Sequence, residues 1–198
     1  MPYIPTVRDN SPRGERYFDL FSKLLNDRII IINEAIDDNM MGVIVSQLLY
    51  LDADDHEEPI HLYISSPGGS VMSGLAILDT MNLIEAPVHT YAMGLVASMA
   101  ALLFACGEPG ERKILPNAEV MIHQPLGGYQ GQASDIEIHA NHILKLKAKL
   151  NKILADVTGQ NIRTIAKETD RDNYFEAQEA IKFGLADKLI EKGAKDGK

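Results

Sequence analysis

Ser98 is the residue of this chain whose surroundings best suit a nucleophile for acyl transfer. It follows a predicted strand that ends near Gly94 and begins the apolar segment 98–106, which is typical of a buried helix. At the start of that helix, its hydroxyl would lie near unpaired backbone amides and the positive helix end, both of which stabilise an oxyanion. The alternative is that Ser98 only caps the helix.

His123 is the histidine best placed to supply the base that a serine nucleophile needs. It stands at the end of the predicted strand 119–123. Among the other histidines, His56 lies in a charged loop, and His139 and His142 lie at i,i+3 spacing on a predicted helix. That pair lacks the acidic partner expected of a histidine-rich metal site, so we expect solvated side chains and no metal.

A carboxylate that could orient the histidine is available in the acidic segment 169–173. The segment contains Asp170 and Asp172, and their spacing does not choose between them. The alternative for this segment is a helix start or an ion-pair cluster. The residues around Ser98 do not form the G-x-S-x-G turn of α/β-hydrolases, so that class is disfavoured.

The turn at 66–70 contains the adjacent glycines Gly68 and Gly69. Without a Cβ, such residues let backbone N–H groups approach a substrate carbonyl, so the turn is a candidate oxyanion hole. The alternative is a simple turn. The glycine spacing matches neither a phosphate-binding loop nor a dinucleotide fingerprint, so the sequence predicts no nucleotide site and no cofactor.

Apolar periodicity predicts alternating strands and helices between residues 17 and 190. The helix at 134–158 begins with a capping-box pattern, in which Ser134 and Glu137 would cap each other's amides, and ends before Gly159. This alternation implies an α/β fold with a largely parallel sheet, whose chemistry lies at the carboxyl ends of the strands. The predicted strands are 29–32, 60–65, 88–94, 112–115, 119–123 and 186–190, and the predicted helices are 17–24, 40–51, 71–81, 98–106, 134–158 and 176–183.

Composition limits the function classes. The 198 residues are 45% hydrophobic and 24% charged, which predicts one globular domain over 1–198. The formal charge of -9 argues against nucleic-acid binding. The longest apolar stretch, 95–106, is too short to span a bilayer, and no signal pattern begins the chain. Cys106 is the single cysteine, which excludes an intrachain disulfide and suits the cytoplasm.

Six motifs of the chain resemble, in the same order, those of the proteolytic subunit of Clp proteases. They extend over nearly the whole length, which makes a chance agreement implausible. The motifs are IPTV at 4–7, RGER at 13–16, LYISSPGG at 62–69, ASMAA at 97–101, MIHQP at 121–125 and TDRD at 169–172.

The resemblance implies a crotonase-like α/β fold with repeated strand–strand–helix units. It also implies a protruding strand–helix handle at 124–158, a mobile axial segment at 1–16 and a flexible tail at 191–198. Two stacked heptameric rings of this chain would enclose a chamber for unfolded protein substrates. An AAA+ ATPase of the ClpX, ClpA or ClpC type would feed the chamber, so that ATP is used by the partner and this chain needs no cofactor.

The family's motifs also imply roles for individual residues. Ser98 resembles the nucleophile, His123 the base and Asp172 the orienting carboxylate, so motif alignment prefers Asp172 to Asp170. Gly69 and Met99 resemble the positions whose amides form the oxyanion hole.

Further positions resemble the family's contact surfaces. Asp170 and Arg171 match a pair that links ring contacts to alignment of the triad. Tyr63, Leu49 and Leu189 resemble positions near the apolar pocket that receives ATPase loops.

Two departures from the family pattern leave other functions open. Val96 stands where a small residue is usual before the serine, and Tyr129 stands between the glycines of the handle. A second, divergent ClpP subunit is therefore a further candidate partner. The rival functions are an assembly subunit with little hydrolysis of its own and a crotonase-like acyl-CoA enzyme, in which the Gly68–Gly69 turn would also hold an oxyanion.

Overall fold

The computed structural model describes residues 4–11 and 14–191. The predicted axial segment therefore lies partly outside the described residues, and the predicted tail lies outside them except for Glu191. Within the axial segment, β1 (Thr6–Ser11) and β2 (Gly14–Asp19) form an antiparallel hairpin, which leads into α1 (Leu20–Asn26). The mobility of both segments stays a prediction.

The remaining elements alternate between strand and helix along most of the chain. Apolar side chains at every second position form the buried strands, and those at helical spacing form the helix faces that cover them. In chain order they are β3 (Ile29–Ile32), α2 (Asp38–Asp54), β4 (Ile60–Ser66), α3 (Val71–Leu83), β5 (Val88–Ala97), α4 (Met99–Ala105), β6 (Arg112–Ile114), β7 (Glu119–Ile122), α5 (Ala133–Thr158), α6 (Ile162–Glu168), β8 (Asn173–Glu176), α7 (Ala177–Phe183) and β9 (Lys188–Leu189).

A mostly parallel seven-stranded sheet organises the molecule. Its main path is β3-β4-β5-β6-β9, and β7 pairs with β5 and with β8. The long strand β5 pairs with two strands on the same side. Its residues Thr90–Ala92 pair with β6, and its residues Leu95–Ala97 pair with β7. Only the β7–β8 pair of this sheet is antiparallel among the described residues. The sheet and its helices confirm the predicted α/β class.

The helix α4 lies in the centre of the core. All seven of its side chains are buried, because its sequence MAALLFA carries no polar group. Alternate residues of β4, namely Ile60, Leu62 and Ile64, are fully buried beside it. A helix buried on all sides is rigid, so its first turn is a stable base for the residue that precedes it.

Two of the predicted helix starts need correction beyond a shift of one or two residues. The first helix begins at Leu20 rather than at Tyr17, because Asp19 accepts the Ser22 amide at its N-cap. The helix α5 has Gln132 at its N-cap, so Ser134 lies inside the helix and the predicted capping box is absent from this described segment. The first error is the position of the helix start, and the second is the identity of the capping residue.

A capping box does form at α7, between Glu176 and Glu179. The predicted stops at Gly159 and Gly184 are confirmed, since both glycines adopt the left-handed conformation after a helix. The described segment 124–132 of the predicted handle is irregular and leads into α5.

Candidate active site

Ser98 occupies the tight turn between β5 and α4. Its backbone has φ 57° and ψ -123°, a region that non-glycine residues rarely adopt. Its amide donates to the Met121 carbonyl at 2.8 Å, which fastens the turn to β7. The hydroxyl caps no amide of α4, so it is available for other contacts and the helix-cap alternative is wrong.

His123 lies beside Ser98 because of the strand register. Ala97 on β5 pairs with Met121 on the parallel strand β7, so the residues that follow the two strands leave the sheet at the same edge. The Ser98 hydroxyl lies 2.8 Å from Nε2 of His123. When the ring proton is on Nδ1, Nε2 accepts from this hydroxyl, which is the arrangement a general base needs.

Asp172 completes a chain of three hydrogen-bonded side chains. Its Oδ1 lies 2.8 Å from Nδ1 of His123. Asp172 directly precedes β8, whose Asn173 pairs with Ile122 of β7, so Asp172 and His123 lie opposite each other across the antiparallel pair. The His123 side chain is 13% exposed and that of Asp172 is 59% exposed, so the carboxylate is at the mouth of the site.

The backbone of Gly69, the first predicted oxyanion-hole residue, is held by a bridge to Ile36. A parallel bridge joins Gly69 to Ile36, in which Ile36 donates to the Gly68 carbonyl at 2.9 Å and the Ser70 amide donates to the Ile36 carbonyl at 2.8 Å. In a parallel bridge the central residue's own amide points away from the bridging strand. The Gly69 amide therefore makes no hydrogen bond to Ile36.

Met99 is the second residue predicted to donate its amide to an oxyanion. Met99 is the first residue of α4, where amides have no carbonyl partner inside the helix. Gly68 packs directly against this point: a Cβ on Gly68 would lie 2.7 Å from the Ser98 Cβ and 2.9 Å from the Met99 amide nitrogen. The glycine turn and the start of α4 thus face each other closely, as an oxyanion hole requires.

An apolar cleft adjoins Ser98 and His123. Side chains of α3, α4, α5, the end of β7 and the segment after it line a cavity of only about 30 Å³, which is room for about one water molecule. The apolar side chains in its wall are Val71, Met99, Leu102, Ile122, Pro125, Leu150 and Leu154. A wider cavity of about 510 Å³ between α1, β3 and α2 includes neither Ser98 nor His123.

A comparison with protein families identifies the family of the chain. A family model described as Clp protease matches residues 12–193 of the 198. The chain belongs to the Clp protease family. Membership supports a peptidase with a crotonase-like α/β fold, and for Clp proteases in general it implies a barrel-like oligomer that works with a Clp ATPase. It also argues against the acyl-CoA alternative.

The predicted oligomerisation pair lies beside the triad. Asp170 and Arg171 are exposed on the turn before Asp172, and the Asp170 carboxylate lies 3.9 Å from the Lys147 ammonium of α5. Their role in ring contacts, which the Clp protease motif implies, stays a prediction.

The handle residue that departs from the family pattern makes a contact of its own. The ring of Tyr129 stacks on His139 of α5, with centroids 3.7 Å apart. This contact packs the irregular segment 124–132 against the helix.

The three residues predicted to lie near a pocket for ATPase loops have different surroundings. The Tyr63 ring stacks on Tyr91 of the neighbouring strand with centroids 4.3 Å apart, whereas Leu49 is exposed on α2 and Leu189 packs against the core. Contact with an ATPase loop stays a prediction for all three.

Sequence reasoning missed two residues next to the triad, Gln124 and Lys147. Gln124 belongs to a recognised motif, and its neighbour His123 could have drawn attention to it. Its hydrogen-bond partners, however, lie 46 and 23 residues away along the chain, so no local pattern indicates them.

Metal-binding clusters and membrane-spanning helices are both absent from the described residues. No group of three or more histidine, cysteine, aspartate or glutamate side chains is arranged to hold a metal ion. No helix in this part of the chain is both long enough and apolar enough to cross a membrane.

Proposed function

We propose that the chain is the serine endopeptidase subunit of an ATP-dependent Clp protease and hydrolyses unfolded proteins to short peptides. The observation that carries this proposal is the continuous series of hydrogen bonds from the Ser98 hydroxyl through His123 to Asp172. Three side chains in this order can transfer the hydroxyl proton as the oxygen attacks a carbonyl.

The proposed reaction has two halves. Ser98 Oγ attacks the peptide carbonyl while His123 Nε2 takes its proton, and the amides of Gly69 and Met99 donate to the oxyanion. His123 then gives the proton to the leaving amine, and an acyl-enzyme remains on Ser98. Water, deprotonated by His123, attacks the ester, and the proton returns to Ser98 as the acid leaves. Asp172 keeps Nδ1 protonated and stabilises the imidazolium.

The proposal includes the assembly that the resemblance implies. Two stacked heptameric rings enclose the sites, an AAA+ ATPase of the ClpX, ClpA or ClpC type threads substrates inward, and ATP is hydrolysed by that partner. Exposed apolar side chains of the handle support a contact between rings, because such groups gain from being covered. They are Leu126, Ile136, Ile138 and Leu144. The single Cys106 fits a cytoplasmic location.

Replacing the orienting carboxylate tests this proposal. Asp172→Asn should lower kcat for a short fluorogenic peptide by about three to four orders of magnitude, because the amide no longer holds Nδ1 protonated. Asp156→Asn is the matched control, since Asp156 lies on the exposed side of α5 in an ion pair with Lys152. Equal kcat values for the two variants would contradict the role of Asp172.

A further inference from the structure

A polar side chain continues the link between the two segments that carry His123 and Asp172, beyond the point where backbone pairing ends. The β7–β8 ladder stops at Ile122 and Asn173. The next cross-link is the Gln124 side chain, whose Nε2 donates to the Asp170 carbonyl at 2.7 Å. Asp172 is thus held between a backbone pair on one side and a side-chain hydrogen bond on the other.

A lysine from the handle helix fixes the orientation of this glutamine. Lys147 Nζ donates to Gln124 Oε1 at 2.8 Å, and it lies 3.9 Å from the Asp170 carboxylate. An ammonium only donates and a backbone carbonyl only accepts, so both ends of the Gln124 amide match their partners and a flipped amide would match neither. The Lys147 side chain is 28% exposed, which makes its contacts stronger than those of a fully solvated lysine.

The exposed position of Asp172 makes such a restraint necessary. Its side chain is 59% exposed, and it ends the turn at 169–172, which belongs to no helix or strand. A carboxylate on such a turn loses alignment with an imidazole after a small shift of the backbone. Shifts of about 1 Å at a reacting group can lower a rate about a hundredfold.

We propose that Gln124 and Lys147 are positioning residues, which hold residues 170–172 against the end of β7 and thereby keep Asp172 on His123 Nδ1. The inference rests on the proposed triad function. It connects the handle helix to the chemistry of the same subunit through one lysine.

The test is the rate at which a fluorophosphonate phosphonylates Ser98 in the assembled full-length protein. Lys147→Met and Gln124→Met should each react about ten- to a hundredfold more slowly, because Asp172 is no longer held in alignment with His123. An electrostatic effect of the lysine alone would leave Gln124→Met unchanged, because that substitution removes no charge, so the two variants together separate positioning from simple electrostatics.

Three further variants complete the test. Lys149→Met, an exposed lysine on the same helix, should react as the wild type does, and Lys147→Arg should recover most of the rate. In an Asp172→Asn background, Lys147→Met should add no further loss, because the lysine acts through Asp172. Gln124→Met gives an independent reading if Lys147→Met does not fold.

The outcomes separate this inference from the proposed function. A reactive wild type with Lys147→Met and Gln124→Met matching Lys149→Met in rate would overturn the positioning role alone. A wild type that does not react at Ser98 would overturn the triad function and the positioning role together.

Discussion

The backbone around Ser98 depends on glycines that no other residue replaces without strain. Gly68 has φ 87° and Gly69 has φ 152°, and a Cβ on Gly69 would collide with the Ile36 backbone. Ser98 itself is held at a positive φ. Strain of this kind persists only where the surrounding structure imposes it, and the buried helix α4 with the Met121 hydrogen bond does so here.

Gly68→Ala should disable the site. The new methyl group would meet the Ser98 Cβ and the Met99 amide at a φ that alanine rarely adopts, which disturbs the nucleophile and an oxyanion donor together. Loss of one such donor costs about two to three orders of magnitude in rate, and we expect at least that loss in the phosphonylation of Ser98 by a fluorophosphonate.

Gly42→Ala is the matched control for this substitution. Gly42 lies within α2, and a Cβ there would meet nothing within 4 Å. The change should leave the phosphonylation rate unaltered and raise the free energy of unfolding by about 0.5–1 kcal/mol, as alanine does in a helix. A wild-type phosphonylation rate in Gly68→Ala would refute the proposed use of this turn.

Much of the site was predictable from single residues, and one part was not. Ser98 and His123 follow strands with strong apolar patterns, so their places at the carboxyl edge of the sheet were expected from the sequence. The choice between Asp170 and Asp172 could not be predicted from the residues alone, because it depends on β8, whose pairing with β7 is a tertiary contact. Motif resemblance, rather than spacing, indicated Asp172.

At the scale of elements, one arginine ties the ends of three helices together. Arg112 Nη1 donates to the carbonyls of Ala105, Val157 and Gly184, which end α4, α5 and α7, at 3.2, 3.0 and 2.8 Å. Its Nε and Nη2 donate to the Asp187 carboxylate. The cation satisfies carbonyls that a helix cannot pair and lies at the negative helix ends. One of those helices is α4, which begins directly after Ser98.

Arg112→Met should destabilise the fold by about 3–5 kcal/mol, the cost of leaving one member of a buried ion pair without its partner. The free energy of unfolding in urea measures this change. Lys152→Met removes an exposed pair with Asp156 and should change that free energy by less than about 1 kcal/mol. Equal effects of the two substitutions would contradict the structural role of Arg112.

The same pair predicts a pH dependence. Burial alone would raise the pKa of Asp187, but hydrogen bonds from the Arg112 side chain and amide outweigh it, so the pKa lies below its usual 3.8. A carboxylate whose pKa is lowered by folding stabilises the folded state at pH values above its usual pKa. This stability is lost as pH falls through the folded-state pKa. The stability difference between wild type and Arg112→Met should therefore shrink below about pH 4. A difference independent of pH would contradict this.

Elements with a strong apolar pattern were predictable, and α6 and β8 were not. The alternation Ile60, Leu62, Ile64 and the glycine stop at Gly184 predicted β4 and the end of α7. The seven residues of α6 and the four of β8 were missed because of their weak apolar pattern and not their length, since β3 and α7 are as short and were predicted. Their conformation depends on packing against α5 and pairing with β7.

At the scale of the whole molecule, membership of the Clp protease family implies an oligomer. The exposed Arg171 lies in the turn that ends at Asp172, so a contact there would couple assembly to the site. In the proposed double ring, Arg171→Ala should shift sedimentation toward a single ring and lower peptidase activity, because the proposed stacking contact would lose its charged group.

Arg163→Ala, on the exposed side of α6, is the control for Arg171→Ala and should leave both sedimentation and activity unchanged. Unchanged sedimentation together with unchanged activity in Arg171→Ala would refute the oligomerisation role of this residue.

The central claim is that Ser98 is an activated nucleophile. Intact-mass spectrometry of the purified chain after exposure to a fluorophosphonate tests it most directly, with Ser98→Ala as the control. The account predicts one adduct on each wild-type chain and none on Ser98→Ala. An unmodified wild-type chain at saturating reagent, or equal labelling of the two proteins, would contradict it.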